Sequence, residues 1–277
     1  MGRLIQAFPG KLTPPPYRCY CSAMLEIVQI PVLNDNYVYL AREPRSGAVG
    51  VVDPAVADAV EAELDRRGWR LTHVINTHHH GDHVGGNLRL KQRYGATIVG
   101  PRADRARIPG IDVEVGEGDD YLFGQERARV FDVPGHTRGH IAYWFKDSHA
   151  LFCGDTIFSL GCGRLFEGTP RQMWTSLCKL RDLPAETRVY CAHEYTESNA
   201  RFAITVDPAN PDLARRVAEV KRLRADGKPT VPSTMGEERR ANPFLRADQP
   251  GVAAGVALDI ADPVAVFAEV RRRKDVF

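Results

Sequence analysis

Four histidines and an aspartate fall within the seven residues 77–83, and this cluster most limits how the chain can fold. The apolar run 71–76 lies directly before it and predicts a buried strand that ends where the cluster begins. A loop at a strand end can turn several side chains toward one point. Imidazole suits zinc and iron, and a carboxylate can bridge two cations. The cluster therefore predicts a metal site beside a strand end.

The order of donors within the cluster indicates two metals. Alternate residues of an extended segment share a face, so we expect His78 and His80 to bind one cation together. A bend at the glycine that follows would allow Asp82 and His83 to reach a second cation nearby. His79 lies between the first two donors and is expected to point away from the metals.

Three further segments each place a candidate donor just past a predicted strand. His136 follows the strand-like run 129–133, Asp155 follows 150–153, and His193 follows 189–192. Taken alone, a histidine or aspartate at a strand end is usually a structural polar residue. Four donor segments in this order and at these spacings instead indicate one shared centre.

The motifs T-H-x-H-x-D-H, G-H-T-x-G-H, G-D-T and H-E-Y resemble those of the metallo-β-lactamase superfamily, in the same order, over essentially all of 24–277. The resemblance implies an α+β fold, an αββα sandwich with the metals at the sheet edges. It implies one metal on His78, His80 and His136, a second on Asp82, His83 and His193, and a bridge through Asp155. It leaves His140 outside the ligand set, packing behind it.

Such a centre is built for hydrolysis. Two divalent cations about 3.5–4 Å apart can share a hydroxide, because each lowers the pKa of bound water. The same cations stabilise the oxyanion formed when that hydroxide attacks a carbonyl. Asp82 and Asp155 hold this geometry and are the expected catalytic residues. Two zinc ions per chain are expected, and iron or manganese would also suit these donors.

A narrower resemblance rests on segments outside the metal motifs. They are 161–169, 193–196, 232–234, 242–244 and 271–275. This combination is similar to the hydroxyacylglutathione hydrolases, also called glyoxalase II. It implies hydrolysis of S-(2-hydroxyacyl)glutathione, in particular S-D-lactoylglutathione, to glutathione and D-lactate, the second step of methylglyoxal detoxification.

The same resemblance implies where glutathione binds. Arg271 and Lys274 would hold its glycine carboxylate, although alone they would suit a solvated helix end. The implied substrate-binding set is Arg164, Leu165, Phe166, His193, Glu194, Tyr195, Arg271 and Lys274. Phe166 stands where the family can carry a tyrosine and Arg164 where a lysine can occur, so affinity for glutathione is affected rather than the reaction.

Composition divides the chain into three parts. Residues 1–23 contain three basic and no acidic residues, with three consecutive prolines. We expect an unstructured leader or an upstream start there, with an organelle transit peptide as the alternative. Residues 24–193 are the expected catalytic domain and 194–277 a helical glutathione-binding domain.

Other function classes fit less well. A net charge of +2 gives no reason to expect nucleic acid, and no apolar run approaches the roughly 20 residues that span a bilayer. The six cysteines lack a disulfide-framework spacing, so we expect free thiols and a cytoplasmic location. We also expect a monomer. A persulfide dioxygenase with a single iron is the nearest rival enzyme and a β-lactamase a weaker one. The complete set of second-metal donors and the helical C-terminal part argue against the dioxygenase. A β-lactamase commonly uses a cysteine at the second metal.

Overall fold

The computed structural model describes residues 24–277, so the expectations about a leader and about Cys19 and Cys21 lie outside the described part. The chain forms two six-stranded sheets. The strands of the first sheet, in spatial order, are β1 (Glu26–Val32), β2 (Asn36–Arg42), β3 (Val49–Val52), β4 (His73–Ile75), β5 (Thr97–Pro101) and β6 (Val113–Val115). The pairs β1–β2 and β2–β3 are antiparallel, and the three later pairs are parallel.

The second sheet carries most of the later strands. They are β7 (Asp120–Phe123), β8 (Glu126–Asp132), β9 (Ile141–Phe145), β10 (Ala150–Gly154), β13 (Arg188–Cys191) and β14 (Ser233–Thr234). Their spatial order is β14-β13-β10-β9-β8-β7, with β10 and β13 parallel and the other pairs antiparallel. A separate two-stranded ribbon pairs β11 (Ile157–Phe158) with β12 (Gly161–Cys162).

Helices flank the sheets and form most of the C-terminal part. They are α1 (Ala57–Arg67), α2 (Gly81–Val84), α3 (Asn87–Tyr94), α4 (Pro170–Arg181), α5 (Thr196–Val206), α6 (Pro211–Ala225), α7 (Met235–Ala241), α8 (Pro250–Gly255) and α9 (Pro263–Asp275). Short 3-10 helices occupy Arg102–Asp104 and Pro243–Leu245. None of the helices within 24–277 is both long enough and apolar enough to cross a membrane.

Strand β2 shows how the sequence builds the sandwich. Tyr39 and Ala41 point into the large core that the two sheets share, whereas Val38 and Leu40 point into a second core with α1 and α3. Successive strand residues face opposite sides, so a strand that is apolar throughout is buried on both faces. The architecture is the expected αββα sandwich, with a helical C-terminal region.

The C-terminal region packs against the sandwich through one continuous core. Phe244 and Phe267 belong to the same buried cluster as Met173 and Leu177 of α4. Trp174 also lies against Phe267, with ring centroids 6.2 Å apart. The region is also not purely helical, since β14 forms the edge strand of the second sheet.

The helical region is interrupted near its start. Helices α5 and α6 are separated at 207–210. Proline at 208 and 211 cannot continue a helix by donating its nitrogen. Asn210 then caps α6, its side-chain oxygen accepting from the backbone nitrogens of Asp212 (3.0 Å) and Leu213 (3.2 Å).

Candidate active site

The predicted donor segments all leave the C-terminal ends of strands and meet at one edge of the sandwich. Two backbone hydrogen bonds join the edges of the two sheets there. Tyr37 donates to the Ala192 carbonyl at 2.7 Å, and Ile141 donates to the Thr77 carbonyl at 3.0 Å. The fold thereby brings together residues that are more than a hundred positions apart in the chain.

Three imidazoles form the first donor group. The Nδ1 atom of His80 lies 3.2 Å from Nε2 of His78 and 3.1 Å from Nε2 of His136. His78 and His136 are buried, and His80 is partly exposed at the mouth of a cavity. Three ring nitrogens converging at this spacing match the donor type and number of a zinc site.

The second donor group contains Asp82, His83 and His193, and their ligand atoms lie within 4.8 Å of one another. The Oδ2 atom of Asp82 is 3.6 Å from Nε2 of each histidine. Asn36 donates to this same oxygen at 3.0 Å, which orients the carboxylate. The short helix α2 forms the bend that was expected at Gly81 and turns this half of the cluster away from His80.

Asp155 lies between the two groups. Its Oδ2 is 3.3 Å from Nε2 of His136 in the first group. Its Oδ1 is 3.6 Å from Nε2 of His83 and 3.5 Å from Nε2 of His193 in the second. Each oxygen therefore faces a different donor group, as a bridging carboxylate requires.

Two polar atoms of this cluster are buried without a hydrogen-bond partner. They are Nε2 of His83 and Oδ1 of Asp155. Leaving such atoms unpaired in the interior is costly unless a cation binds them. The residues present thus fit a pair of divalent metal ions, and the seven predicted donors lie together in one His/Asp cluster.

The outer nitrogens of the donor histidines are held by acceptors. The Nδ1 atom of His83 lies 3.1 Å from Oδ2 of Asp53, and Nδ1 of His193 lies 2.8 Å from Oδ1 of Asp35. A proton kept on Nδ1 leaves the Nε2 lone pair directed at the centre. Sequence reasoning did not identify either aspartate as part of the site, since each lies in a turn far from its partner.

Backbone groups hold His136 and His140. The Nδ1 atom of His136 lies 2.9 Å from the Arg164 carbonyl. His140 is buried, stacks on His78 with ring centroids 4.5 Å apart, and accepts from the backbone nitrogen of Asp155 at 3.1 Å. It packs behind the donors.

Burial and neighbouring charges set the protonation of the centre. Burial, reinforced by the nearby imidazole of His83, holds the pKa of His78 well below its ordinary value, so this ring stays neutral. Burial would lower the pKa of His193 too, but the carboxylates of Asp155 and Asp35 outweigh it and raise that pKa to about 9. A bound cation would take the place of this proton.

Asp35→Asn tests the supporting aspartates. The amide keeps the shape of the carboxylate but loses its charge, so the orientation and basicity of His193 weaken. We expect the affinity of the second donor group for zinc to fall about 10–100-fold in a competition titration with a chelator. Asp226→Asn, at an exposed position in contact with Lys228, should leave the affinity unchanged.

A cavity of about 600 Å³ opens directly over the two donor groups. Its lining includes the donors His80, Asp82, His136, Asp155 and His193 and the cations Arg164, Arg271 and Lys274. Metal donors from the sandwich therefore share one cavity with two cations of the last helix, Arg271 and Lys274. This size is in the usual range for small-molecule sites.

The cationic side of the cavity is preorganised. Arg271 is buried, and its NH1 donates to the Cys162 carbonyl at 2.9 Å while its NH2 lies 2.9 Å from Asp275 Oδ1. The Nζ atom of Lys274 donates to the backbone and side-chain oxygens of Ser198 at 3.2 and 3.0 Å. Both cations are thus fixed at the cavity wall, where an anionic group could bind.

Two aromatic rings line the same cavity beside the donors. Tyr195 stacks on His193 with a centroid distance of 4.7 Å and an interplanar angle of 5°. Phe166 lies against the first donor group, its ring 5.1 Å from that of His136 and 5.8 Å from that of His80. Its exposed fraction of 63% leaves this apolar surface open to the cavity.

Two of the expected substrate contacts are not brought to this cavity. The carboxylate of Glu194 accepts from the Tyr37 hydroxyl at 2.7 Å and from the backbone nitrogen of Thr230 at 2.8 Å, facing a different pocket. Its side chain ties the C-terminal region to the sandwich instead. Leu165 packs against the large core and does not line the cavity.

Family models cover nearly the whole described chain. Residues 33–193 match the model of the metallo-β-lactamase superfamily, and residues 194–277 match the model described as the hydroxyacylglutathione hydrolase C-terminus. A hydroxyacylglutathione hydrolase from Methylococcus capsulatus is 62% identical over 92% of this chain and 99% of its own length. A hydroxyacylglutathione hydrolase from Rhodospirillum rubrum is 55% identical over 91% of this chain and 99% of its own length.

Solved structures agree on the fold. The crystal structure of ETHE1 from Myxococcus xanthus superposes with a TM-score of 0.63 at 24% sequence identity, covering 90% of each chain. The fold therefore extends to distant sequences, and the high-identity relatives match this chain over about nine-tenths of its length. The chain belongs to the hydroxyacylglutathione hydrolase family within the metallo-β-lactamase superfamily.

Proposed function

We propose that this protein hydrolyses S-(2-hydroxyacyl)glutathione thioesters, in particular S-D-lactoylglutathione, to glutathione and a 2-hydroxy acid. One observation carries the proposal, namely that a single cavity contains a binuclear donor centre and the fixed cations Arg271 and Lys274. Glutathione is a thiol peptide with carboxylates at its ends, and an arginine side chain matches a carboxylate. The placement suits a substrate whose carboxylate is bound away from its reacting carbonyl.

In this proposal the ligand set is divided as the geometry suggests. His78, His80 and His136 would hold one cation, Asp82, His83 and His193 would hold the other, and Asp155, which faces both groups, would contact both ions. Two bound divalent cations, zinc in our proposal and iron or manganese as alternatives, supply a hydroxide at neutral pH and stabilise negative charge on the carbonyl oxygen.

The protein's own residues position the thioester. Arg271 and Lys274 bind the glycine carboxylate, and Arg164, whose side chain is 65% exposed and lies beside Arg271 across Asp275, contacts the peptide. Phe166 and Tyr195 cover the thioester with apolar surface and exclude water beside the donors. Glutathione leaves as a thiolate, a fair leaving group because the thiol pKa is about 8.5.

The remaining assignments follow from the same cavity. We propose residues 24–193 as the catalytic domain and 194–277 as the domain that binds glutathione. We propose a monomer as the active unit. The four cysteines within 24–277 are free thiols, which supports a reducing compartment, and we propose the cytoplasm.

Steady-state kinetics with S-D-lactoylglutathione, on protein whose metal content is measured in the same sample, test this function. We expect equal rates of D-lactate and thiol release, with activity proportional to metal content up to two ions per chain. Glutathione persulfide supplied in air should cause no oxygen consumption. A fully metal-loaded, folded sample that leaves the thioester intact would refute the proposal.

The charge of Lys274 gives the reaction an alkaline limit. Burial, with the nearby charges of Arg271, Arg201 and Arg164, lowers the pKa of Lys274 to about 8. The lysine is cationic below that pH and loses its charge above it, so carboxylate binding should weaken as pH rises. We expect kcat/KM to fall above pH 8, since this ratio reports groups of the free enzyme.

Lys274→Arg provides the matched control for this pH dependence. Arginine stays charged across the whole range, so the decline that begins near pH 8 should disappear in the variant. Titration of the substrate amine would affect both proteins equally. An identical alkaline decline in the two profiles would exclude Lys274 as its source.

A further inference from the structure

Arg107 belongs to neither donor group and does not line the cavity. Its guanidinium contacts one residue beside the first donor group, His79, and one beside the cavity wall, Glu167. Its NH2 donates to Glu167 Oε2 at 3.1 Å and also to Asp104, while its NH1 donates to the other Glu167 oxygen. NH1 also lies 3.0 Å from Nε2 of His79. Arg107 is one-third exposed and Asp104 is buried, so the contacts are largely shielded from solvent.

One arm of this arrangement reaches the first donor group. The Nδ1 atom of His79 lies 3.1 Å from Oδ2 of Asp104, so both ring nitrogens of His79 have partners. This ring points away from the metals, as the sequence predicted. Because His79 lies between His78 and His80 in the chain, fixing its ring also fixes the backbone that carries both donors.

The other arm reaches the wall of the substrate cavity. Glu167 Oε2 accepts from the backbone nitrogen of Arg138 at 2.8 Å, which ties it to the loop of His136. The backbone nitrogen of Phe166 also donates to the His136 carbonyl at 3.3 Å. A Cβ at Gly168 would lie 2.6 Å from the Cα of Gly135, so the two loops pack backbone against backbone.

We propose that Arg107 is a positioning residue that holds the loop of Arg164 and Phe166 in register with the segment of His78 and His80. The inference rests on the proposed function, because the register matters for a thioester held by that loop and attacked at the donors. Its two arms are separable. Glu167 carries the arm to the substrate loop, and His79 carries the arm to the metal donors.

Three single variants test the two arms with separate measurements. Glu167→Gln removes a charge-assisted contact and should raise KM for the thioester about 10-fold, with the rate of metal release to a chelator unchanged. His79→Leu should speed metal release about 10-fold and change KM less than about 2-fold. Arg107→Met should produce both effects.

A double variant tests whether Arg107 and Glu167 act together. If they act through one contact, Arg107→Met with Glu167→Gln should raise KM no further than Arg107→Met alone. Arg107→Lys keeps the charge but cannot bind both Glu167 and Asp104 as a fork, so partial recovery of KM is expected.

Arg181→Met is the matched control. Arg181 forms a partly buried ion pair with Asp248 away from the cavity, with side-chain exposures of 23% and 29%. The Arg181→Met variant should have a lower melting temperature than the wild-type protein, with the same KM and the same rate of metal release. If Arg107→Met behaves in the same way, the role of Arg107 is purely structural and the proposal fails. If Glu167→Gln speeds metal release and His79→Leu raises KM instead, the assignment of the two arms is wrong.

The metal-release measurement separates this inference from the proposed function. A wild-type protein that binds two metals but leaves the thioester intact would contradict the proposed function alone. His79→Leu and Arg107→Met would then still be compared by metal release, and unchanged rates in both would refute the network.

Discussion

Asp155→Ala is expected to lower kcat for S-D-lactoylglutathione on the order of 10³-fold, equivalent to about 4 kcal/mol of barrier. Asp155 is the carboxylate that faces both donor groups, one oxygen to each. Without it, two cations would repel each other with less negative charge between them, and their shared activation of water would weaken. We expect metal content to fall from two ions per chain toward one.

Asp147→Ala is the control for this substitution. Asp147 is exposed in the hairpin between β9 and β10, so its loss should change neither kcat nor metal content. Retention of two ions and near-normal kcat in Asp155→Ala would contradict the bridging role. Circular dichroism of both variants separates a loss of chemistry from a loss of fold.

The second large effect is expected from removing both cavity cations. Arg271→Ala combined with Lys274→Ala should raise KM roughly 100-fold and change kcat much less, because each charge-assisted contact contributes about 1.5–3 kcal/mol. A contact made equally in the bound substrate and in the transition state affects KM rather than kcat. An unchanged KM would refute the assigned role.

A modified substrate distinguishes lost binding from damaged packing. Arg271 is buried and donates to Cys162, so its removal also disturbs the cavity wall. The thioester of glutathione with its glycine carboxylate converted to an amide should bind wild-type protein weakly. The double variant should then discriminate little between the two substrates. If it still prefers the carboxylate strongly, another group binds that end.

The metal donors could be predicted from the sequence because each motif is local. A buried strand that ends just before His78, within three residues, or directly before Asp155 presents that side chain at a sheet edge. The alternation of residues in an extended segment correctly separated His79 from its neighbours. Division into two groups followed from the bend at Gly81 and from the family resemblance.

The surroundings of the donors could not be predicted in the same manner, because they depend on contacts between distant segments. Asp35 is 158 residues from His193, and nothing in its turn identifies that partner. Glu194 adjoins His193 in the chain, yet its carboxylate turns to Tyr37 and Thr230. The edge strand β14 is two residues long, too short to leave a periodic pattern.

Anomalous diffraction from crystals of the zinc-loaded protein would test the central claim most directly. We predict two peaks per chain about 3.5–4 Å apart, with Asp155 between them. One peak should be bound by His78, His80 and His136, and the other by Asp82, His83 and His193. A single peak at full occupancy, or two peaks bound by other residues, would contradict the account.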